Sequence, residues 1–362
     1  MRSSRRLKDW EKNVRKVVPY VPGEQPKEKN IIKLNTNENP YPPAPGVAEV
    51  LQAFDADSLR LYPDQLVADL TGALADFYHV DRSQVFTGVG SDDVLAMIFL
   101  TFFNSKKPVL FPDITYSFYD VWAEMLRIPY EQIPLDDDFF MIPGDYKKEN
   151  GGIIFPNPNA PTGRLMELSQ IEEIIQANPG VIVVVDEAYI DFGGVSALPL
   201  IDKYDNVIVV QTFSKSRSMA GSRIGYAISN PDVIKYLNEV KYSFNSYTMD
   251  QVTIALGVAA VKDKEYFENT IQKIIQTREW TKEQLLALGF LFADSQSNFI
   301  FARHPKVSGL QLFQALRDEK IFVRRFGKPE RIADYLRITI GTDEQMQKLV
   351  NFLKTYLMEQ EK

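Results

Sequence analysis

Val181-Ile182-Val183-Val184-Val185-Asp186-Glu187-Ala188-Tyr189 and Val207-Ile208-Val209-Val210-Gln211-Thr212-Phe213-Ser214-Lys215 decide the fold of this chain. Each opens on an unbroken β-branched run, the pattern of a central parallel strand buried on both faces. Each then ends in polar and titratable residues. Working outward, Ile153–Phe155, Pro108–Phe111 and Ile224–Ile228 read as further strands. Asp64–Tyr78 and Glu167–Ala177 read as helices. Ser91-Asp92-Asp93 supplies a cap and acids for the first turn of an apolar helix. The alternation predicts an α/β fold, a sheet with helices on both faces. After about residue 260 the pattern changes to long charged helices over Lys262–Leu288, then short strands at Phe299–Ala302 and Leu336–Ile340. That is the signature of a smaller α+β domain. The prolines between residues 19 and 45 describe an extended arm, because proline removes a backbone donor and disfavours helix. We therefore expect an arm at 1–30, a large domain at 31–250 and a small domain at 251–362.

Composition narrows the function classes. The chain has 362 residues and a formal net charge of −7, which argues against nucleic acid as main partner. It has no cysteine, so disulfides, thiolate metal sites and a cysteine nucleophile are excluded. With His79 and His304 as the only histidines, no metal site is expected. The basic start Met1-Arg2-Ser3-Ser4-Arg5-Arg6 is followed by Asp9, Glu11 and Lys12 in place of an apolar stretch, so no signal peptide is expected. The apolar run Val94–Phe103 is too short to span a bilayer. A cytoplasmic location with no membrane partner is the resulting expectation.

Ligands of open α/β sheets bind beyond the C-terminal strand ends. Three such ends carry chemistry here: Asp186–Tyr189, Ser214-Lys215, and Pro156-Asn157-Pro158-Asn159-Ala160-Pro161-Thr162-Gly163. Alone, each has an ordinary reading as a helix cap, a surface pair or a turn. Converging on one crevice, they suit pyridoxal 5'-phosphate. That cofactor needs an amine for its aldehyde, a carboxylate for its pyridine nitrogen, and donors for its phenolate and phosphate. Lys215 is the candidate amine, Asp186 the carboxylate and Tyr189 the phenolate donor. Ser214, Arg223 and the backbone of Gly88-Val89-Gly90-Ser91-Asp92 at a helix N-terminus are the candidate phosphate donors.

Thr212-Phe213-Ser214-Lys215 with Ala220-Gly221-Ser222-Arg223-Ile224-Gly225 resembles the lysine signature of the fold-type-I aminotransferases, the aspartate aminotransferase superfamily. Within it, several segments resemble the histidinol-phosphate aminotransferase family: Val18–Gly23, Leu34-Asn35-Thr36-Asn37-Glu38-Asn39-Pro40-Tyr41, Leu61-Tyr62-Pro63-Asp64, Phe111–Tyr116 and Leu336–Thr342. The resemblance spans roughly residues 17 to 355. It implies a mostly parallel seven-stranded sheet and a homodimer with shared active sites. It also implies ping-pong transamination of L-histidinol phosphate, with 2-oxoglutarate as second substrate, in histidine biosynthesis.

The resemblance assigns further roles. Lys215 would carry the cofactor and move the proton. Tyr116 would stack on the cofactor ring. Ser91 and Asp92 would reach its phosphate through backbone N–H, and Tyr62 would do so from the neighbouring subunit. Arg337 would hold the substrate's anionic group, with Tyr20, Asn37 and Arg324 or Arg325 nearby. Ala160 departs from the family's asparagine before Pro-Thr-Gly, which leaves the phenolate contact to Asn159 or to nothing. Ser216-Arg217-Ser218 departs from the small or aromatic residues usual after the lysine. A threonine-phosphate decarboxylase-like lyase and an aromatic amino-acid aminotransferase keep every cofactor contact and are the alternatives.

Overall fold

In the computed structural model, which describes residues 8–360, the hydrophobic runs assemble into two sheets. The basic Met1–Arg6 stretch lies outside the described residues. The strands in chain order are β1 (Ile32–Leu34), β2 (Val85–Gly88), β3 (Val109–Pro112), β4 (Tyr130–Ile133), β5 (Gly152–Pro156), β6 (Val183–Asp186), β7 (Val207–Thr212), β8 (Gly225–Ser229), β9 (Leu291–Phe292), β10 (Phe299–Arg303), β11 (Ile321–Arg325) and β12 (Leu336–Thr339). The helices are α1 (Pro45–Ala53), α2 (Ala68–Tyr78), α3 (Ser91–Phe102), α4 (Tyr119–Leu126), α5 (Leu168–Ala177), α6 (Pro231–Phe244), α7 (Gln251–Lys262), α8 (Lys264–Ala287), α9 (Gly309–Asp318) and α10 (Asp343–Gln360).

The larger sheet is seven-stranded in the order β2-β8-β7-β6-β5-β3-β4. Only β8 runs against its neighbours β2 and β7; the other pairings are parallel. Every residue of β5, β6 and β7 is buried, as continuous apolar strands between two helical layers must be. One core lies on each face, with Val183 and Val185 in one and Val184 in the other. This is the period-2 alternation of a strand. The smaller sheet runs β1-β11-β12-β10-β9 and has a third core of its own.

Local chemistry moves several expected boundaries. The helix expected from Asp64 begins at Ala68, because Asp64 caps it: its carboxylate accepts from Leu66 N at 3.0 Å and Ala68 N at 2.7 Å. Residues 14–31 carry no regular element, in keeping with an arm. β1, expected within the large domain, pairs in parallel with β11 and so belongs to the smaller sheet. In the other direction, α7 packs on α1 and α2 and gives Ile254, Ala260 and Val261 to the large core. The Asp263 side chain then caps α8. No helix among the described residues is long and apolar enough to cross a membrane.

Candidate active site

The parallel strands β5, β6 and β7 point their C-terminal ends the same way, so Pro156, Asp186 and the Thr212–Lys215 turn meet at one crevice. The crevice encloses about 730 Å³, and Ser91, Asp92, Tyr116, Asp186, Tyr189, Ser214, Lys215 and Arg223 all line it. Asp186, the last residue of β6, is 4% exposed. Tyr119 donates to its Oδ2 at 2.8 Å and the Ala188 amide to its Oδ1 at 3.3 Å. Burial pushes the Asp186 carboxyl up to about 6, against these two hydrogen bonds. No cation among the described residues pairs with it. A buried carboxylate facing a cavity in that state suits a cationic ligand atom.

Lys215 Nζ extends into the same cavity and donates to the Thr36 carbonyl at 3.2 Å. It makes no ion pair within 4 Å among the described residues, the Glu38 carboxylate acting on it from farther off, and lies 5.7 Å from the centre of the Tyr189 ring. Its backbone is held from below: Asn39 Nδ2 donates to the Lys215 carbonyl at 3.0 Å, and Ser216 Oγ donates to Asp191 at 2.5 Å. Arg217 turns away into the core, its guanidinium between the rings of Phe77 and Phe267. The substituted Ser216-Arg217 pair thus braces the lysine loop from outside the cavity. The Tyr189 hydroxyl accepts from Asn37 Nδ2 at 3.0 Å, which leaves its own proton free for an oxygen in the cavity.

The opposite end is built for an anion. Gly90 (φ +89°) turns the chain from β2 into α3, and a Cβ there would sit 2.4 Å from Arg223 Nη2. A Cβ on Gly225 would lie 2.2 Å from the Ser91 amide nitrogen. Two glycines therefore let the first amides of α3 and the Arg223 guanidinium converge. The Arg223 fork is already positioned, donating to Asp92 Oδ2 at 3.2 Å and Ser214 Oγ at 3.4 Å. Tyr116 donates to Asp92 Oδ1 at 2.6 Å, which pins its ring on the cavity wall.

A second cavity, about 760 Å³, adjoins the first and shares Thr36, Tyr116, Ala160, Tyr189 and Lys215 with it. Tyr20, Asn37, Arg324 and Arg337 line it. Arg337, on β12, donates to the Asn35 carbonyl at 3.0 Å, and its buried Nε has no partner. Burial lowers its pKa from the usual guanidinium value. Arg324 donates to the Val21 and Pro22 carbonyls, each at 3.2 Å, and so ties down the arm. Tyr20 stacks on Phe118 with ring centres 4.1 Å apart, and burial raises its hydroxyl pKa.

Three candidates fall elsewhere. Asn159 does not line either cavity: its amide donates to the Ile114 carbonyl at 3.0 Å and Thr162 Oγ1 at 2.9 Å, and Ala160 occupies the wall instead. The expected phenolate contact through Asn159 is therefore withdrawn. Arg325 also lies outside the linings, as strand alternation requires of the neighbour of Arg324. Tyr62 is 82% exposed, stacked on Tyr247, and reaches neither cavity of its own chain. Sequence reasoning missed Tyr119, Thr36, Glu38 and Asn39. The last three stand in the quoted Leu34–Tyr41 segment, which was the available signal.

Residues 29–353 match the family model described as aminotransferase class I and II. The chain is 52% identical to a histidinol-phosphate aminotransferase of Lactococcus lactis subsp. cremoris (strain MG1363), covering 98% of this chain and 99% of that one. It is 50% identical to one of Acinetobacter baylyi over 98% and 99% of the two chains. Among solved structures, the histidinol-phosphate aminotransferase of Sinorhizobium meliloti in complex with pyridoxal 5'-phosphate superposes with a TM-score of 0.82. It is 25% identical to this chain, over 91% of each.

Proposed function

The chain belongs to the class I and II aminotransferases, among the histidinol-phosphate aminotransferases, and from that premise we propose that it uses pyridoxal 5'-phosphate to move the amino group of L-histidinol phosphate to 2-oxoglutarate. The products are imidazole acetol phosphate and L-glutamate. The observation that carries this reading is the junction of two cavities at Lys215: one ends in an anion cradle, the other in Arg337.

The residues fit the cofactor. The unpaired Lys215 amine suits its aldehyde carbon, the cation-free Asp186 its ring nitrogen, Tyr189 its phenolate, and Ser91, Asp92, Ser214 and Arg223 its phosphate. Bound there, pyridoxal phosphate supplies an electron sink for the carbon that bears the amino group. Asp186 stabilises positive charge on the ring nitrogen. Lys215 takes the proton from the substrate's α-carbon and delivers it on the other side of the exchange. Tyr116 packs against the ring. Without an asparagine at position 160, Tyr189 is the single side chain from this region offered to the phenolate.

Two amino donors use the second cavity in turn. Glutamate offers an α-carboxylate; histidinol phosphate offers a phosphate ester on the adjacent carbon. A planar guanidinium binds both kinds of oxyanion, so Arg337 serves each. Its Nε, buried without a partner, is a donor the substrate satisfies. Tyr20 and Arg324 add donors for the larger phosphate, and Asn37 steadies Tyr189. Tyr62, exposed beside the likewise exposed Leu61 and Leu66, completes the phosphate end of a neighbouring subunit's site in a homodimer.

The test is product analysis. Enzyme given L-histidinol phosphate and 2-oxoglutarate should form glutamate in step with loss of the donor. Given O-phosphothreonine, it should release no carbon dioxide. Carbon dioxide without glutamate would replace this reading with the lyase.

A further inference from the structure

Lys241 is 4% exposed and makes no ion pair within 4 Å among the described residues, the Asp93 carboxylate acting on it from farther off. It stands on the last turn of α6. Its Nζ makes one hydrogen bond, to the Thr87 carbonyl at the end of β2 (3.0 Å), and lies 5.3 Å from the Phe86 ring centre. An ammonium has three donors, so two are left over. Burial lowers its pKa to about 8, which leaves it charged at neutral pH. A buried ammonium without a contacting counterion is costly, and an anion that reaches it offsets part of that cost.

Lys241 lines a cleft of about 610 Å³ between β2, α2 and α6 that shares no lining residue with the catalytic cavities. Arg82 lines the same cleft. It donates Nε to Thr71 Oγ1 at 3.0 Å and likewise forms no ion pair, so the rest of its guanidinium is available. Ser83, Asn238 and Tyr242 add polar groups to the lining. The nearby acids keep their charge but point their oxygens at backbone amides and contact neither cation. Asp93 accepts from Val89 N, Asp64 from Ala68 N and Asp81 from Ser83 N. We propose that this cleft is a further anion site, separate from those at Arg223 and Arg337, which takes a phosphate group on Lys241 and Arg82. Two cations without a contacting acid match a phosphate dianion better than a single carboxylate. Free phosphate and a small phosphate monoester present the same oxyanion to these two cations.

The test uses the holoenzyme carrying Arg337→Gln, which removes the main competing anion-binding group in the substrate cavity. Inorganic phosphate and glycerol 3-phosphate are titrated separately by calorimetry. Saturable binding of inorganic phosphate alone assigns the site to the free ion; binding of both assigns it to phosphate groups in general. Adding Lys241→Met should weaken binding at least tenfold, the effect of removing a charge-assisted hydrogen bond. Arg82→Gln, at an exposed position that folding tolerates, should weaken it several-fold. Absence of saturable binding at millimolar concentration overturns the proposal, and so does binding that both substitutions leave unchanged.

Discussion

The cofactor cavity and the substrate cavity meet at Lys215 but are built differently. The first is made mainly from the ends of adjacent strands of one sheet and the start of α3, all fixed by the large core. The second draws Tyr20 from the arm, Asn37 from the segment after β1, Tyr116 from the large domain, and Arg324 and Arg337 from the smaller sheet. The arm is held there by its Val21 and Pro22 carbonyls on Arg324, the Glu24–Arg317 ion pair, the Glu24 carbonyl on Asn35 and the Tyr20 stack on Phe118. A site cut into a rigid sheet can hold a permanent group. A site assembled from four separately anchored pieces can adjust to two amino donors in turn.

The largest expected effect lies at the junction. Lys215→Ala should lower both half-reactions by at least about 10³-fold, since it removes the proton carrier that both share. Borohydride treatment of wild-type holoenzyme should attach the cofactor to the peptide bearing Lys215, as read by mass spectrometry. Attachment elsewhere would break the comparison at its centre.

On the cofactor side, Asp186→Asn should slow both half-reactions by roughly 10²-fold or more, equally for either donor. It also has a stability signature. Burial raises the Asp186 carboxyl from 3.8 to about 6, so the folded cofactor-free protein holds a proton there that the unfolded chain releases. Stability from this group is therefore lost as pH rises from about 4 to about 7. Cofactor-free Asp186→Asn should be more stable than wild type above pH 7, by up to about 3 kcal/mol, with the gap closing towards pH 4. Urea unfolding across that range checks it. A gap that does not change with pH would show that the carboxylate is compensated within the chain.

On the substrate side the effects should be smaller and unequal. Arg337→Gln should impair both half-reactions by about 10²-fold, because it takes a charge-assisted hydrogen bond away from each substrate. Tyr20→Phe should slow histidinol phosphate about tenfold and glutamate much less, because one hydroxyl is one hydrogen bond. Equal losses in Tyr20→Phe would remove the arm from phosphate recognition. The smallest effect expected is a partial recovery: mixing inactive Tyr62→Ala and Lys215→Ala subunits should restore a fraction of activity, because one hybrid site keeps both residues. No recovery after proven subunit exchange would place each site within one chain.

The same contrast explains what could be read without coordinates. Lys215, Asp186 and Arg223 stand next to strands whose burial is written in consecutive β-branched residues, so their convergence follows from parallel topology. Tyr119 was not legible, because its hydrogen bond to Asp186 joins residues 67 apart in the chain. Nor was the Thr36 contact with Lys215, made by a backbone carbonyl that residue type does not reveal. Asn159 has the right chemistry, but local backbone geometry gives its amide to Ile114 and Thr162. The sheet that β1 joins and the core that α7 feeds were hidden for a related reason. Three residues of β1 are too short a signal to reveal a long-range parallel pairing, and α7 differs from its neighbours in what it packs against, not in its own pattern.

The most direct test of the whole account is a pair of single-turnover amino-transfer measurements on the wild-type holoenzyme. L-Histidinol phosphate and L-phenylalanine are compared at equal concentration, and the loss of cofactor aldehyde absorbance is followed. With Arg337, Arg324 and Tyr20 gathered around the donor's phosphate, histidinol phosphate should react at least about 10²-fold faster. A faster reaction with phenylalanine would contradict the assignment of the second cavity to a phosphate-bearing donor.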